Sequence, residues 1–96
     1  VAAKAGLHGL TRSMAAEIGR HGVTVNAIAP GFFATELNQA LLEDKEFTAW
    51  VERRTPAGRW AKPEELGGAV IFLASDAASY VNGHVLAVDG GLTVSL

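Results

Sequence analysis

The sequence has no cysteine, one methionine and one tyrosine. Without cysteine there is no disulfide framework, and the composition fits a reducing, cytoplasmic compartment. No apolar run is long enough to span a bilayer. No basic n-region followed by an apolar core opens the chain, so neither a signal peptide nor a membrane partner is expected. Positive charge is not in excess. The net charge is -2, which leaves no electrostatic case for nucleic acid. The histidines His8, His21 and His84 stand at no metal-like spacing to one another or to carboxylates, so no metal site is expected. No Ser/His/Asp constellation, glycine-rich phosphate loop, internal repeat or linker is evident.

What is present is a chain of 96 residues, 49% hydrophobic and 19% charged. That is about one small domain with much surface to bury. It opens on Val1 rather than methionine and directly inside a helical pattern, which suggests part of a longer polypeptide. Residues from about Val1 to Arg20 read as this first helix. At 100° per residue Leu7, Leu10, Met14 and Ile18 share one face, the expected core stripe. A second stripe holds only small residues: Ala2, Gly6, Gly9, Ser13 and Ala16. Glycine in a helix costs about 1 kcal/mol against alanine, whereas small side chains in line let another helix approach closely. Lys4 falls at the edge of the leucine stripe near Thr11, where an inward lysine is expected; Arg12 and Arg20 read as solvated. Gly22 supplies the helix stop.

Val23 to Ala29 is strand-like and apolar on both faces, with Pro30-Gly31 as the stop, as in a parallel sheet covered by helices. Residues 32–58 are too long for a plain connection and form a candidate helical insert on the substrate side. In it Thr35 is expected to cap a helix through Leu42, and Asp44 another through about Arg54. Arg53 and Arg54 read as a solvated face that, in a lid, could meet an anionic substrate. Trp60 reads as a packing aromatic. Pro63, Glu64 and Glu65 suit the first turn of a further helix with Leu66, Ala69, Val70 and Leu73 buried. Asn82-Gly83 is a turn signal, and His84 to Val88 a last strand closed by Asp89-Gly90-Gly91. Helix, strand, helical insert, helix and strand in that order make half of a doubly wound α/β sheet. The turn at Pro30-Gly31 then lies at the carboxyl end of a parallel strand, the rim where such sheets bind ligands.

Several segments fall in a recognisable order. Val1-Ala2-Ala3-Lys4 would complete Tyr-x-x-x-Lys if a tyrosine stood just before Val1. Asn26-Ala27-Ile28-Ala29-Pro30-Gly31 follows, then Gly58-Arg59-Trp60-Ala61-Lys62-Pro63-Glu64-Glu65, then Val88-Asp89-Gly90-Gly91. Together they resemble the C-terminal part of the short-chain dehydrogenase/reductases over essentially the whole chain. The resemblance implies the C-terminal portion of a Rossmann-type doubly wound parallel sheet, residues 1–96 being part of one such domain. It implies NADP or NAD as cofactor, Lys4 as the motif lysine, and Pro30, Gly31, Phe33 and Thr35 as the segment at the nicotinamide end. A lysine beside a tyrosine lowers the phenol's pKa, so that it exchanges a proton with a carbonyl or alcohol near neutral pH.

Within the family, residues 29–37, 47–50, 54–60 and 80–91 resemble reductases of the gluconate/5-ketogluconate type. A polyol or keto-acid substrate and a homotetramer are implied. The small-residue stripe is expected at one subunit interface; Leu66 to Leu73 and His84 to Val88 are expected at another. The motif tyrosine, the catalytic serine and the dinucleotide loop are not among these residues, so the chain by itself is expected to be inactive. The alternative is a non-catalytic segment serving only in packing or assembly.

Overall fold

The structure is a computed structural model and describes residues 2–95. Helix α1 spans Ala2–Ile18 and runs into a 3-10 turn at Gly19–His21. Gly22 ends it in the left-handed conformation, φ 77°, with its N–H donating to Gly19 O, as a C-terminal glycine does. Strand β1 is Ala27–Pro30 and strand β2 Val85–Val88. Between them lie the short helix α2 (Gln39–Glu43), α3 (Lys45–Arg54) and α4 (Pro63–Ala74). β1 and β2 are hydrogen-bonded neighbours. Ala27 N–H donates to His84 O, and Gly31 N–H to Val88 O. Partners that advance together along both strands make the pair parallel, in line with the α/β class expected from the order of elements.

Two compact units are formed: Val1–Ala29 with Ala69–Leu86, and Pro30–Gly68 with Ala87–Leu96. In the first, the expected strand is shorter than Val23 to Ala29. Val25 N–H donates to the Asn82 side chain, and Gly83 N–H donates to Val25 O. The backbone ahead of β1 is thus satisfied by a turn and a side chain rather than by a ladder. The Asn26 side chain does the same on the other side. It donates to Val81 O and accepts from His84 N–H, so β2 begins at Val85 and not at His84.

The helix faces also differ from expectation. Leu7, Leu10 and Met14 are exposed, and the buried side chains of α1 are Thr11 and Ala15. Burial follows what stands opposite, and in this unit the turn at Asn82-Gly83 meets the helix at Ala15. Lys4 shares the angular sector of Thr11 and Ala15 but is exposed, not inward, because it lies about three turns beyond that contact. Gly6, Gly9, Ser13 and Ala16 are exposed; the side chain of Ala2 and the whole of Val1 lie outside the described residues. On α4, Leu66, Ala69 and Leu73 are half-buried as a stripe, while Val70 is exposed. Val70, Leu73 and Ala74 instead line an open groove with Thr24, Asn26 and Ile28. Among the described residues, no helix is long and apolar enough to cross a membrane and no three His, Cys, Asp or Glu side chains group to hold a metal ion.

Candidate active site

In the second unit β1 ends at Pro30, and the chain continues through Gly31, Phe32 and Phe33 into the insert. Gly31 has a steric reason to be glycine. A Cβ there would stand 2.8 Å from both Cα and Cβ of Asp89. Phe33 is buried and forms an isolated parallel bridge with Ala61. Its neighbours carry that bridge: Ala61 N–H donates to Phe32 O, and Ala34 N–H to Ala61 O. By strand alternation the Phe33 amide and carbonyl then face away from Ala61. The carbonyl accepts from Thr35 N–H and from the Asn38 side chain. The Phe33 amide and the Thr35 hydroxyl make no hydrogen bond among the described residues.

Thr35 does not cap a helix through its side chain, contrary to expectation. The Asn38 amide closes that turn onto Phe33 O instead, and the expected helix is a 3-10 turn at Glu36–Asn38 followed by α2. The next helix start is as expected. Asp44 Oδ1 accepts from the amides of Glu46 and Phe47, satisfying two donors that a helix start leaves open.

The insert is held by rings. Phe32 meets Phe47, Trp50 and Trp60 edge-on, with centroids 5.6–5.9 Å apart. Trp60 donates through Nε1 to Thr48 Oγ1, and Thr48 donates on to Leu42 O. Trp60 is therefore a packing aromatic, as its place in the sequence suggested. Val51 is fully buried on the inner side of α3.

Beside this cluster is a cavity of about 70 Å³ lined by Phe33, Thr55, Arg59, Glu65 and Asp89 among others. It is far smaller than a dinucleotide pocket. Asp89 accepts from the amides of Gly91 and Thr93, and Gly31 packs on its backbone. The closing Asp89-Gly90-Gly91 turn is thus built against the segment that leaves β1.

Sequence reasoning missed the Arg59–Glu65 pair. Both Glu65 oxygens accept from the Arg59 guanidinium, at 2.8 and 2.9 Å, and Oε1 also accepts from Lys62 N–H. A glutamate at the third helical position reaching back to the amide ahead of the helix is half of a capping box. That spacing, Lys62 to Glu65, was the available signal. The Arg59 hydrogen bonds, then the Lys62 amide, hold the Glu65 carboxyl down at about 2 against an ordinary 4.5. A lowered carboxylate pKa contributes stability above the unfolded value that is lost as pH falls toward the folded one. The stability gap between the unmutated protein and Glu65→Gln is therefore expected to be full above about pH 5 and to close between about 4.5 and 2. Thermal midpoints across that range measure it; a gap independent of pH would overturn it.

Of the residues expected at a site, Pro30, Gly31, Phe33 and Thr35 follow one another along one edge of the second unit. Lys4 stands on the first two turns of α1 in the first unit, exposed and without an ion pair among the described residues.

Comparison with known proteins gives a consistent result. A family model described as Enoyl-(Acyl carrier protein) reductase matches residues 1–93. The chain is 57% identical to Gluconate 5-dehydrogenase of Gluconobacter oxydans and 54% identical to 5-keto-D-gluconate 5-reductase of Escherichia coli K12. Each match covers 99% of this chain and 37% of the relative. A crystal structure of a gluconate 5-dehydrogenase from Burkholderia cenocepacia, in complex with NADP and tartrate, superimposes with a TM-score of 0.90 at 52% identity. That match covers 99% of this chain and 37% of the other. The chain thus spans about 37% of the length of the relatives it matches.

Proposed function

The chain belongs to the short-chain dehydrogenase/reductase family, and from that premise we propose that it is the C-terminal part of one Rossmann-type oxidoreductase domain interconverting a sugar-acid alcohol and its ketone, of the gluconate/5-ketogluconate type, with NADP or NAD. The family model's description names a different substrate from those of the relatives; the relatives, at 54–57% identity, support the sugar-acid reading.

The observation that carries this reading is the edge from Gly31 to Thr35. It follows the carboxyl end of a parallel strand, where open α/β sheets take ligands, and it presents the Phe33 amide and the Thr35 hydroxyl with no partner among the described residues. Those are a donor for a carboxamide oxygen and a hydroxyl for a phosphate oxygen, so these residues fit a nicotinamide dinucleotide. Pro30 and Gly31 fix the entry of the segment, Gly31 through its contact with Asp89. When bound, the dinucleotide supplies or accepts the hydride. Lys4 Nζ lowers the pKa of the tyrosine that the family's motif places four residues before it, and donates to ribose hydroxyls. Residues 32–58 form the substrate-side insert, stiffened by the aromatic cluster.

The enzyme is further proposed to be cytoplasmic and homotetrameric, the exposed Gly6, Gly9, Ser13 and Ala16 face of α1 lying at one interface. The 96 residues include no glycine-rich loop, and their one tyrosine, Tyr80, does not stand four before Lys4. Alone they are proposed to be inactive.

The test is NADPH- or NADH-linked reduction of 5-ketogluconate by the intact enzyme, with the 96-residue polypeptide assayed beside it. Turnover by the intact enzyme and none by the polypeptide supports the reading. An intact protein that neither binds a dinucleotide nor reduces any sugar-acid ketone favours a role in packing or assembly alone.

A further inference from the structure

We propose that Arg59 is a positioning residue for the Phe33 amide, aiming that N–H through a hydrogen-bonded chain of two peptide groups. The proposal rests on the role given to the Gly31 to Thr35 edge above.

The chain can be followed bond by bond inside the second unit. Arg59 Nη1 donates to Trp60 O at 3.1 Å. That carbonyl belongs to the same peptide group as Ala61 N–H, which donates to Phe32 O at 2.9 Å. The Phe32 carbonyl in turn shares a peptide group with the Phe33 N–H, the donor assigned to the carboxamide. A trans peptide group is planar, with its C=O and N–H pointing opposite ways, and the described residues contain no cis peptide bond. The guanidinium thus stands at one end of the chain and the Phe33 N–H at the other, with two rigid plates between them.

A further plate runs beside the first. Ala61 O accepts from Ala34 N–H at 2.8 Å, and the Lys62 N–H of the same peptide group donates to Glu65 Oε1 at 2.9 Å. Both peptide groups flanking Ala61 are therefore held at one end by the Phe33 segment and at the other by the Arg59–Glu65 pair. The pair takes the place of a neighbouring strand beside an isolated bridge, Phe33 to Ala61. Glu65 holds the guanidinium through two bonds, at 2.8 and 2.9 Å, which fixes the orientation of the fork. None of these contacts depends on what covers the unit's surface in the intact enzyme.

Two effects reach Phe33. The plates transmit direction: without Arg59 the Trp60–Ala61 group can turn about its remaining bond, and the Phe32–Phe33 group turns with it. They also transmit polarity. Hydrogen bonds in a chain polarise one another by about 10–30% per bond. A cation donating to Trp60 O draws electron density toward itself, which makes the last N–H a better donor.

The experiment is calorimetric titration of the intact enzyme with NADPH or NADH, and with the analogue in which hydrogen replaces the carboxamide. Thermal midpoints are read on the same samples. The affinity gap between dinucleotide and analogue isolates the carboxamide contact, as a double-mutant cycle does. In Arg59→Ala that gap is expected to narrow about fivefold, the size of one hydrogen bond. Arg59→Lys keeps the charge and loses the fork that reaches both Trp60 O and Glu65, so it gives the same test if the alanine variant folds poorly. A lower thermal midpoint with an unchanged gap would reduce Arg59 to a structural residue and overturn the proposal. An unmutated enzyme that binds the analogue as tightly as the dinucleotide would instead strike the role of the Phe33 amide, and Arg59 with it.

Discussion

Lys4→Ala in the intact enzyme is expected to lower turnover by about 10²–10⁴-fold, the range for loss of a positioned acid/base function, while Arg12→Ala changes it by less than about threefold. Both side chains are exposed cations on the same helix, so bulk charge and exposure do not separate them. Spacing does, since Lys4 alone stands at the motif position. In the role proposed for it, its ammonium would favour the ionised phenol of the motif tyrosine, and removing that charge would raise the phenol's pKa. The alkaline side of the pH profile should therefore move upward in Lys4→Ala and stay in place in Arg12→Ala. Equal losses in the two variants would remove Lys4 from the mechanism.

The second large effect is expected at Gly31. In Gly31→Ala the new methyl meets the Asp89 backbone at 2.8 Å, and a backbone atom cannot swing aside as a side-chain tip does. Asp89 is itself held by the amides of Gly91 and Thr93, so the strain stays in the joint. Overpacking of this kind typically costs about 1–3 kcal/mol. The displaced segment carries Phe33 and Thr35, and a misplacement of about 1 Å at reacting groups can cost about 10²-fold in rate. The expected result is a lower thermal midpoint together with a raised dissociation constant for NADPH. Calorimetric titration and a melting curve on the same sample measure both. Unchanged dinucleotide affinity in a destabilised variant would mean that the segment packs but does not bind.

How much of this could be read from the sequence follows from how local each signal is. Asp44, Gly22 and Pro63 mark helix ends through bonds or torsions within a few residues, and each stands where expected. The lead into β1 could not be read, because Val23 to Asn26 look like strand while Val25 bonds to Asn82 and Gly83, and the Asn26 side chain to Val81 and His84, more than fifty positions away. The face of α1 was misread for a related reason. Periodicity shows which residues share a side, but a second element decides which side is covered, and here Thr11 and Ala15 win over the leucines. The Gly31 to Thr35 edge was visible only as an ordered motif. That the Phe33 amide is left open depends on the bridge to Ala61, which no spacing announces.

The placement of the rings has an optical consequence. Both tryptophans of these residues, Trp50 and Trp60, sit in the second unit, packed against Phe32. Tyr80 is the one tyrosine, fully exposed in the first unit. Within this stretch of chain, tryptophan emission therefore reports on the insert and is blind to α1, whereas far-ultraviolet dichroism is weighted toward α1 as the longest helix. Coincidence of the two signals during unfolding is the usual sign of a single cooperative transition. Here their separation would show the lysine-bearing helix and the ring-stapled insert melting as distinct bodies.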